Sequence, residues 1–231
     1  MNRLLALTIA LAACADNTDP VWQLDHDRIV AVRATPPHIA SGQVATFDAL
    51  IAHAGAPTDI ELPIAANAAF APAGLFTAVH SDRGTWSVVA PGAAELDAAR
   101  AELGLDPGAP VPLDVTVQFA TTAAGIELIA RKTVWLGDAA ANPALPEVLV
   151  AGAPPGSQLV VPADHDVSLE LGIDATWTAS WLTSCGTMHD VDEPLAFVHV
   201  LPDDPQTGEL AVVARDPVGG VVWQVWPIRA E

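Results

Sequence analysis

Leu210-Ala211-Val212-Val213-Ala214, then Asp216-Pro217-Val218-Gly219-Gly220, then residues 221–228, in which Val221, Trp223 and Val225 alternate with their neighbours: two apolar stretches flank a turn of aspartate, proline and paired glycines. That pattern is a β-hairpin. The same ending occurs about a hundred residues earlier, where Leu113-Asp114-Val115-Thr116-Val117-Gln118-Phe119 leads through a turn near Gly125 into residues 126–136. The beginnings of the two halves also agree. Ile29-Val30-Ala31-Val32-Arg33-Ala34-Thr35-Pro36-Pro37 and Val148-Leu149-Val150-Ala151-Gly152-Ala153-Pro154-Pro155 superpose at a constant offset of 118, which matches Val30, Val32, Pro36 and Pro37 with Val148, Val150, Pro154 and Pro155. Each is a short strand stopped by two prolines, which cannot donate to a ladder. An alternating strand follows in both, with Phe47, Ala49 and Ile51 on one face in the first and Leu169, Leu171 and Ile173 in the second. A period of two with one apolar face is a half-buried antiparallel strand. The expected fold class is therefore all-β: two β-sandwich domains in tandem, at residues 27–137 and 147–231, joined by the small-residue and proline linker 138–146. One helix interrupts the pattern at residues 93–103, with Leu96, Ala99 and Leu103 on one face and Gly104 at its end. It is expected to cover one end of the first sandwich.

Composition narrows the function classes. Of 231 residues 51 % are hydrophobic, enough for a sizeable core. Lysine and arginine number 9 against 28 acids, a formal charge of −19. So acidic a surface repels phosphate backbones, so no nucleic-acid partner is expected. Beyond the N-terminus no apolar run reaches the ~18 residues of a membrane-spanning helix.

The N-terminus reads as an export signal. Arg3 supplies the positive charge, and residues 4–13 form an apolar region too short to span a bilayer. It ends Leu11-Ala12-Ala13-Cys14, which resembles the bacterial lipobox. The resemblance implies cleavage after residue 13, acylation of Cys14, and a membrane partner held through the lipid anchor. Asp16 stands one place beyond the position whose aspartate marks inner-membrane retention in such lipoproteins. The expected location is therefore the outer membrane, on its periplasmic face or at the cell surface. Residues 14–26 read as a polar tether. With Cys14 acylated, Cys185 has no partner within the chain, and it is expected as a small buried hydrophobe.

Trp177-Thr178-Ala179-Ser180-Trp181 sits where immunoglobulin-like modules place the tryptophan of strand C, and residues 208–220 resemble strand F and the aspartate-glycine turn into strand G. The second half thus resembles the immunoglobulin-like modules of bacterial surface proteins, including the polycystic-kidney-disease type, and the first half resembles them more loosely. The whole chain is similar to two-module lipoproteins of high-GC bacteria such as myxobacteria; one lysine against eight arginines fits that coding bias. Tyrosine is absent, so the tyrosine corner of true immunoglobulin domains is missing, as is a second core cysteine.

Chemistry-bearing patterns are sparse. There is no Gly-x-Ser-x-Gly elbow, His-Glu-x-x-His pair or phosphate-cradling loop. His189 and His199 could approach each other across strands near Cys185. Asp190, Asp192, Glu193, Asp203 and Asp204 lie in loops and offer the oxygen ligands that calcium prefers, although solvated loops use the same residues. Trp177 and Trp181 are expected in the core. Trp223 and Trp226, three apart on one strand, face opposite sides, so one should be less buried. That one could stack on a sugar, or else Trp226 packs against the neighbouring module. The reading is a non-enzymatic envelope protein with a structural or binding role and no required cofactor. A calcium- or carbohydrate-dependent recognition protein is the alternative. An envelope hydrolase is a third reading, which needs a concave pocket with perturbed titratable groups.

Overall fold

The computed structural model describes residues 20–53, 56–61, 65–68, 79–82, 85–120 and 127–231. The first half contributes β1 (Arg28–Thr35), β2 (His38–Ile39), β3 (Val44–His53), β4 (Ala56–Glu61), β5 (Ala65–Ala68), β6 (Val79–Asp82), β7 (Thr85–Val89), α1 (Ala93–Leu103), β8 (Val111–Ala120) and β9 (Glu127–Leu136). The second contributes β10 (Val148–Val150), β11 (Leu159–Val161), β12 (Asp166–Leu171), β13 (Thr178–Thr183), β14 (Thr187–His189), β15 (Leu195–His199), β16 (Thr207–Arg215) and β17 (Val221–Ala230).

The halves share one topology. The first has sheets ordered β1-β3-β7-β6, with β4 also on β3, and β2-β9-β8-β5; the second has β10-β12-β15-β14 and β11-β17-β16-β13. In each, the opening strand pairs antiparallel within one sheet. The chain then crosses and pairs parallel with the last strand of the other, β2 on β9 and β11 on β17. The double prolines lie at these crossings, because a residue without an N–H ends the ladder it enters. In the second half β10, β12, β15 and β14 stand in the places of immunoglobulin strands A, B, E and D, and β11, β17, β16 and β13 in those of A′, G, F and C, the immunoglobulin-like arrangement. The protein is all-β, two such sandwiches in tandem.

Each sandwich has its own core. Phe47, Ala49 and Ile51 meet Val111, Leu113, Val115 and Val134 in the first, and Leu169, Leu171 and Val198 meet Trp181, Leu210, Val212 and Trp226 in the second. A third core lies between them. Leu24, Ala31, Leu50 and Ala52 pack against Leu182, Ala211, Val213, Val221 and Trp223. The outer face of the β1–β3 sheet is thus the inner face of a contact with the β16–β17 sheet. Strand β3 is therefore not half-buried, as its alternation alone implied: Ala49, Leu50, Ile51 and Ala52 are all buried. Continuous apolar runs of this kind, including residues 210–214, mark strands covered on both faces. A bulge between Ile29 and Ala31 fits β1 to this double duty, turning Val30 and Ala31 to the seam while Ile29 and Val32 face the first core.

Two further expectations change. In α1, Leu96 and Ala99 reach the first core, but Leu103 is 43 % exposed. Gly104 takes the left-handed conformation (φ 66°) and its N–H donates to Ala101 O, while the N–H of Leu105 donates to Arg100 O at 2.9 Å. This Schellman closure turns the chain so that Leu105 takes the core contact. The tether 14–26 also ends earlier than read. Residues 22–24 lie along the edge of β13, with Leu24 N–H donating to Thr183 O and Thr183 N–H to Trp22 O, and Leu24 is fully buried in the seam. Both Trp22 and Leu24 are apolar and leave water here, Leu24 in the seam and Trp22, partly buried, against the core of the second sandwich.

Candidate functional site

Cys14 lies outside the described residues. The acidic candidates are not brought together. Asp190, Asp192 and Glu193 occupy the loop from β14 to β15, and Asp203 and Asp204 the loop from β15 to β16; the length of β15 places the two groups at opposite ends of the sandwich. Asp204 and Asp190 serve their own turns. Asp204 Oδ2 accepts Leu201 N–H at 2.8 Å, and Asp190 O accepts Glu193 N–H at 3.0 Å. Among the described residues no group of three or more histidine, cysteine or acidic side chains converges on a metal position. His199 bonds Asp166 at 2.7 Å, whereas His189 sits opposite Phe197 in the β14–β15 register. Cys185 is fully buried, with Sγ donating to Pro205 O at 3.0 Å, and burial pushes its thiol pKa up, which suppresses the nucleophilic thiolate.

The tryptophans correct another expectation. Trp181 is in the core, its indole N–H donating to Glu193 O, and Trp177 packs partly buried against that core. Trp223 and Trp226 do face opposite sides, yet both are buried, at 8 % and 7 % exposed. Trp226 fills the core of its own sandwich, and it is Trp223 that packs on the neighbouring one. Trp86 lies on β7, where its side chain is outside the described residues.

What the structure assembles is a polar seam. Arg33 clasps Asp48 through Nε (3.0 Å to Oδ1) and Nη2, and its guanidinium lies 4.0 Å from the ring centre of Trp223. Asn142, in the linker, donates to Ala34 O at 2.8 Å and accepts Val221 N–H at 2.9 Å, so it bonds to both sandwiches. His38 stacks on Trp135 and contacts Val218 O at 2.6 Å through Nε2 and Asp138 at 2.8 Å through Nδ1. The β16–β17 turn fits closely here. Gly219 has φ 95°, and a Cβ on it would come within 2.9 Å of Trp135 Nε1, so glycine is required twice over.

Beside this turn a groove of about 450 Å³ runs along the edges of β1 and β9, lined by Ile29, Val32, Arg131, Lys132, Arg215 and Asp216 among others. Lys132, the chain's one lysine, stands in the row of β9 that carries Leu128, Ala130, Val134 and Leu136 into the first core. Its stem is buried and its ammonium emerges at the seam, donating to Gly219 O at 2.5 Å. Burial, and then the nearby Arg215 charge, lowers its pKa from 10.5 to about 8, with Asp216 opposing. Arg215 bonds Ser180 Oγ at 3.1 Å and Val30 O at 3.4 Å, and burial lowers its pKa too. Asp216 is engaged by its turn, accepting Val218 and Gly220 N–H groups through Oδ1. Sequence reasoning passed over Lys132. The signal was there: a single lysine in the apolar row of a strand, in a chain of charge −19.

No family model matches the chain, and no curated protein matches it. Solved structures do. The extracellular cadherin domains 3–6 of protocadherin gamma B2 align at 13 % identity with a TM-score of 0.28, over 89 % of this chain and 50 % of that one. The N-terminal Ig1-2 module of the Drosophila receptor protein tyrosine phosphatase DLAR aligns at 12 % identity and 0.31, over 89 % and 99 %. Murine CEACAM1b aligns at 11 % and 0.28, over 87 % and 100 %. The chain spans about half the length of the protocadherin structure. The immunoglobulin-like character of the fold lies in the strand order of the two halves.

Proposed function

We propose that the protein is a non-catalytic, lipid-anchored component of the cell envelope, with signal segment 1–13, lipidated Cys14, and modules at 27–137 and 147–231 acting as one rigid body in a binding or structural role. The observation that carries the role is the seam. Two sandwiches sharing an apolar core, a docked linker residue and a cation–aromatic contact hold a fixed mutual geometry, which suits presenting a surface at a set orientation. The anchor is supported by Leu11-Ala12-Ala13-Cys14. Membrane fractionation of the wild type and Cys14→Ser tests it. The wild type is expected in the membrane pellet with labelled palmitate attached, and the variant in the soluble envelope fraction. Equal membrane association of the two would refute the anchor.

A further inference from the structure

Lys132 is only 9 % exposed. Buried charges are ordinarily paired, because moving an ion out of water costs more than one neutral hydrogen bond returns. Yet Lys132 donates to a single neutral acceptor, Gly219 O, and among the described residues no carboxylate forms an ion pair with it. Asp216, the carboxylate whose charge reaches it, is engaged in its own turn, where Oδ1 accepts Val218 and Gly220 N–H groups. An ammonium with spare N–H donors therefore borders a groove whose other wall is the aliphatic edge of β1.

We propose that this groove binds a small organic carboxylate, with its head group on Lys132, Arg131 lending charge at the mouth, and its aliphatic body along Ile29 and Val30. The proposal gives a ligand class to the binding role above and rests on that reading. A volume of about 450 Å³ falls in the range of small-molecule sites, roughly 300–1,000 Å³. A head group on Lys132 supplies the direct ion-pair partner that Asp216, held in its turn, does not. The overall charge of −19 works against long-range attraction of anions. Recognition must then be short-range, with the apolar wall contributing to it, so the bound acid needs a hydrocarbon part as well as a carboxylate.

Because Lys132 is the only lysine, its reaction with an amine-acylating ester can be read on one peptide by mass spectrometry. Sodium butyrate is titrated into the full chain, with sodium chloride and neutral butyramide as controls. Butyrate is expected to slow Lys132 acylation at least five-fold and saturably, with chloride and butyramide ineffective. Arg131→Gln, whose parent side chain is 65 % exposed and outside the core, should raise the half-protecting butyrate concentration several-fold while leaving the thermal midpoint of the free protein unchanged. Equal acylation rates in butyrate and butyramide, protection that never saturates, or an Arg131→Gln variant protected like the wild type would each overturn the proposal. None of these results bears on membrane fractionation of Cys14→Ser, so failure here leaves the anchored-body reading to stand or fall separately.

Discussion

Lys132 shows how one side chain can be set against its own environment. Its folded-state pKa, about 8, lies below its ordinary 10.5, so between those values the unfolded chain binds a proton that the folded chain has released. Stability then rises with pH across that window and is lost as pH falls through about 8. At 1.36 kcal/mol per pKa unit, the contribution amounts to about 3 kcal/mol over the full window and about 2 kcal/mol between pH 8 and 9.5. Cys185 acts oppositely: its raised pKa gives stability present below the ordinary thiol value and lost as pH rises through the folded one. The clean measurement is therefore a difference. Urea unfolding of the wild type and Lys132→Met at pH 7, 8, 9 and 9.5 should show the wild type gaining on the variant by about 2 kcal/mol above pH 8. Parallel pH profiles would mean that Lys132 is solvated like any surface lysine. At the same scale, Gly219→Ala is expected to destabilise by about 1–3 kcal/mol, since it combines a positive φ with a Cβ directed at Trp135. An unchanged urea midpoint would show that the turn is not seated as described.

At the scale of elements, the sequence was most readable where backbone chemistry is local. Paired prolines end a ladder in any context, so the strand stops before Pro36 and Pro154 could be read, and so could the turn at residues 216–220. The helix bounds followed from good helix formers before Gly104. What stayed hidden depends on partners distant in the chain. Leu103 has the right helical phase for the core, but the glycine closure one residue later gives that contact to Leu105. Replacement tests this directly. Leu103→Ala should change stability by less than about 0.5 kcal/mol, as at exposed positions generally. Leu105→Ala should cost more, and Gly104→Ala about 1 kcal/mol for forcing a Cβ into the left-handed region. If Leu103→Ala is the costliest of the three in thermal or urea unfolding, the helix docks differently. The candidate site was less legible than the helix. A lysine in an apolar row announces a charge that must find an exit, but only the packing of the second sandwich shows that the exit is Gly219 O.

For the whole molecule, the sheets stack in four layers with three apolar cores between them, and the middle core joins what the sequence presents as two domains. Two modules on a free linker would unfold independently; here each loses part of its buried surface when the other melts, so their unfolding should be coupled. Trp223 is the place to break that coupling. It is 8 % exposed, lies wholly in the seam, and carries the contact with Arg33. Trp223→Ala removes this without touching the core of either sandwich. The loss expected for a buried tryptophan is about 3–5 kcal/mol. Because the loss falls on the seam, it should separate the modules rather than weaken both equally. The wild type is expected to give one calorimetric transition, and the variant two, with small-angle scattering showing a more extended particle for the variant under native conditions. Trp226→Ala is the matched control: it empties a site of equal chemistry inside the second sandwich, so it should lower stability while the particle stays compact. If Trp223→Ala leaves a single transition and an unchanged scattering profile, the third core does not couple the sandwiches, and the rigid presentation on which the binding role depends fails with it.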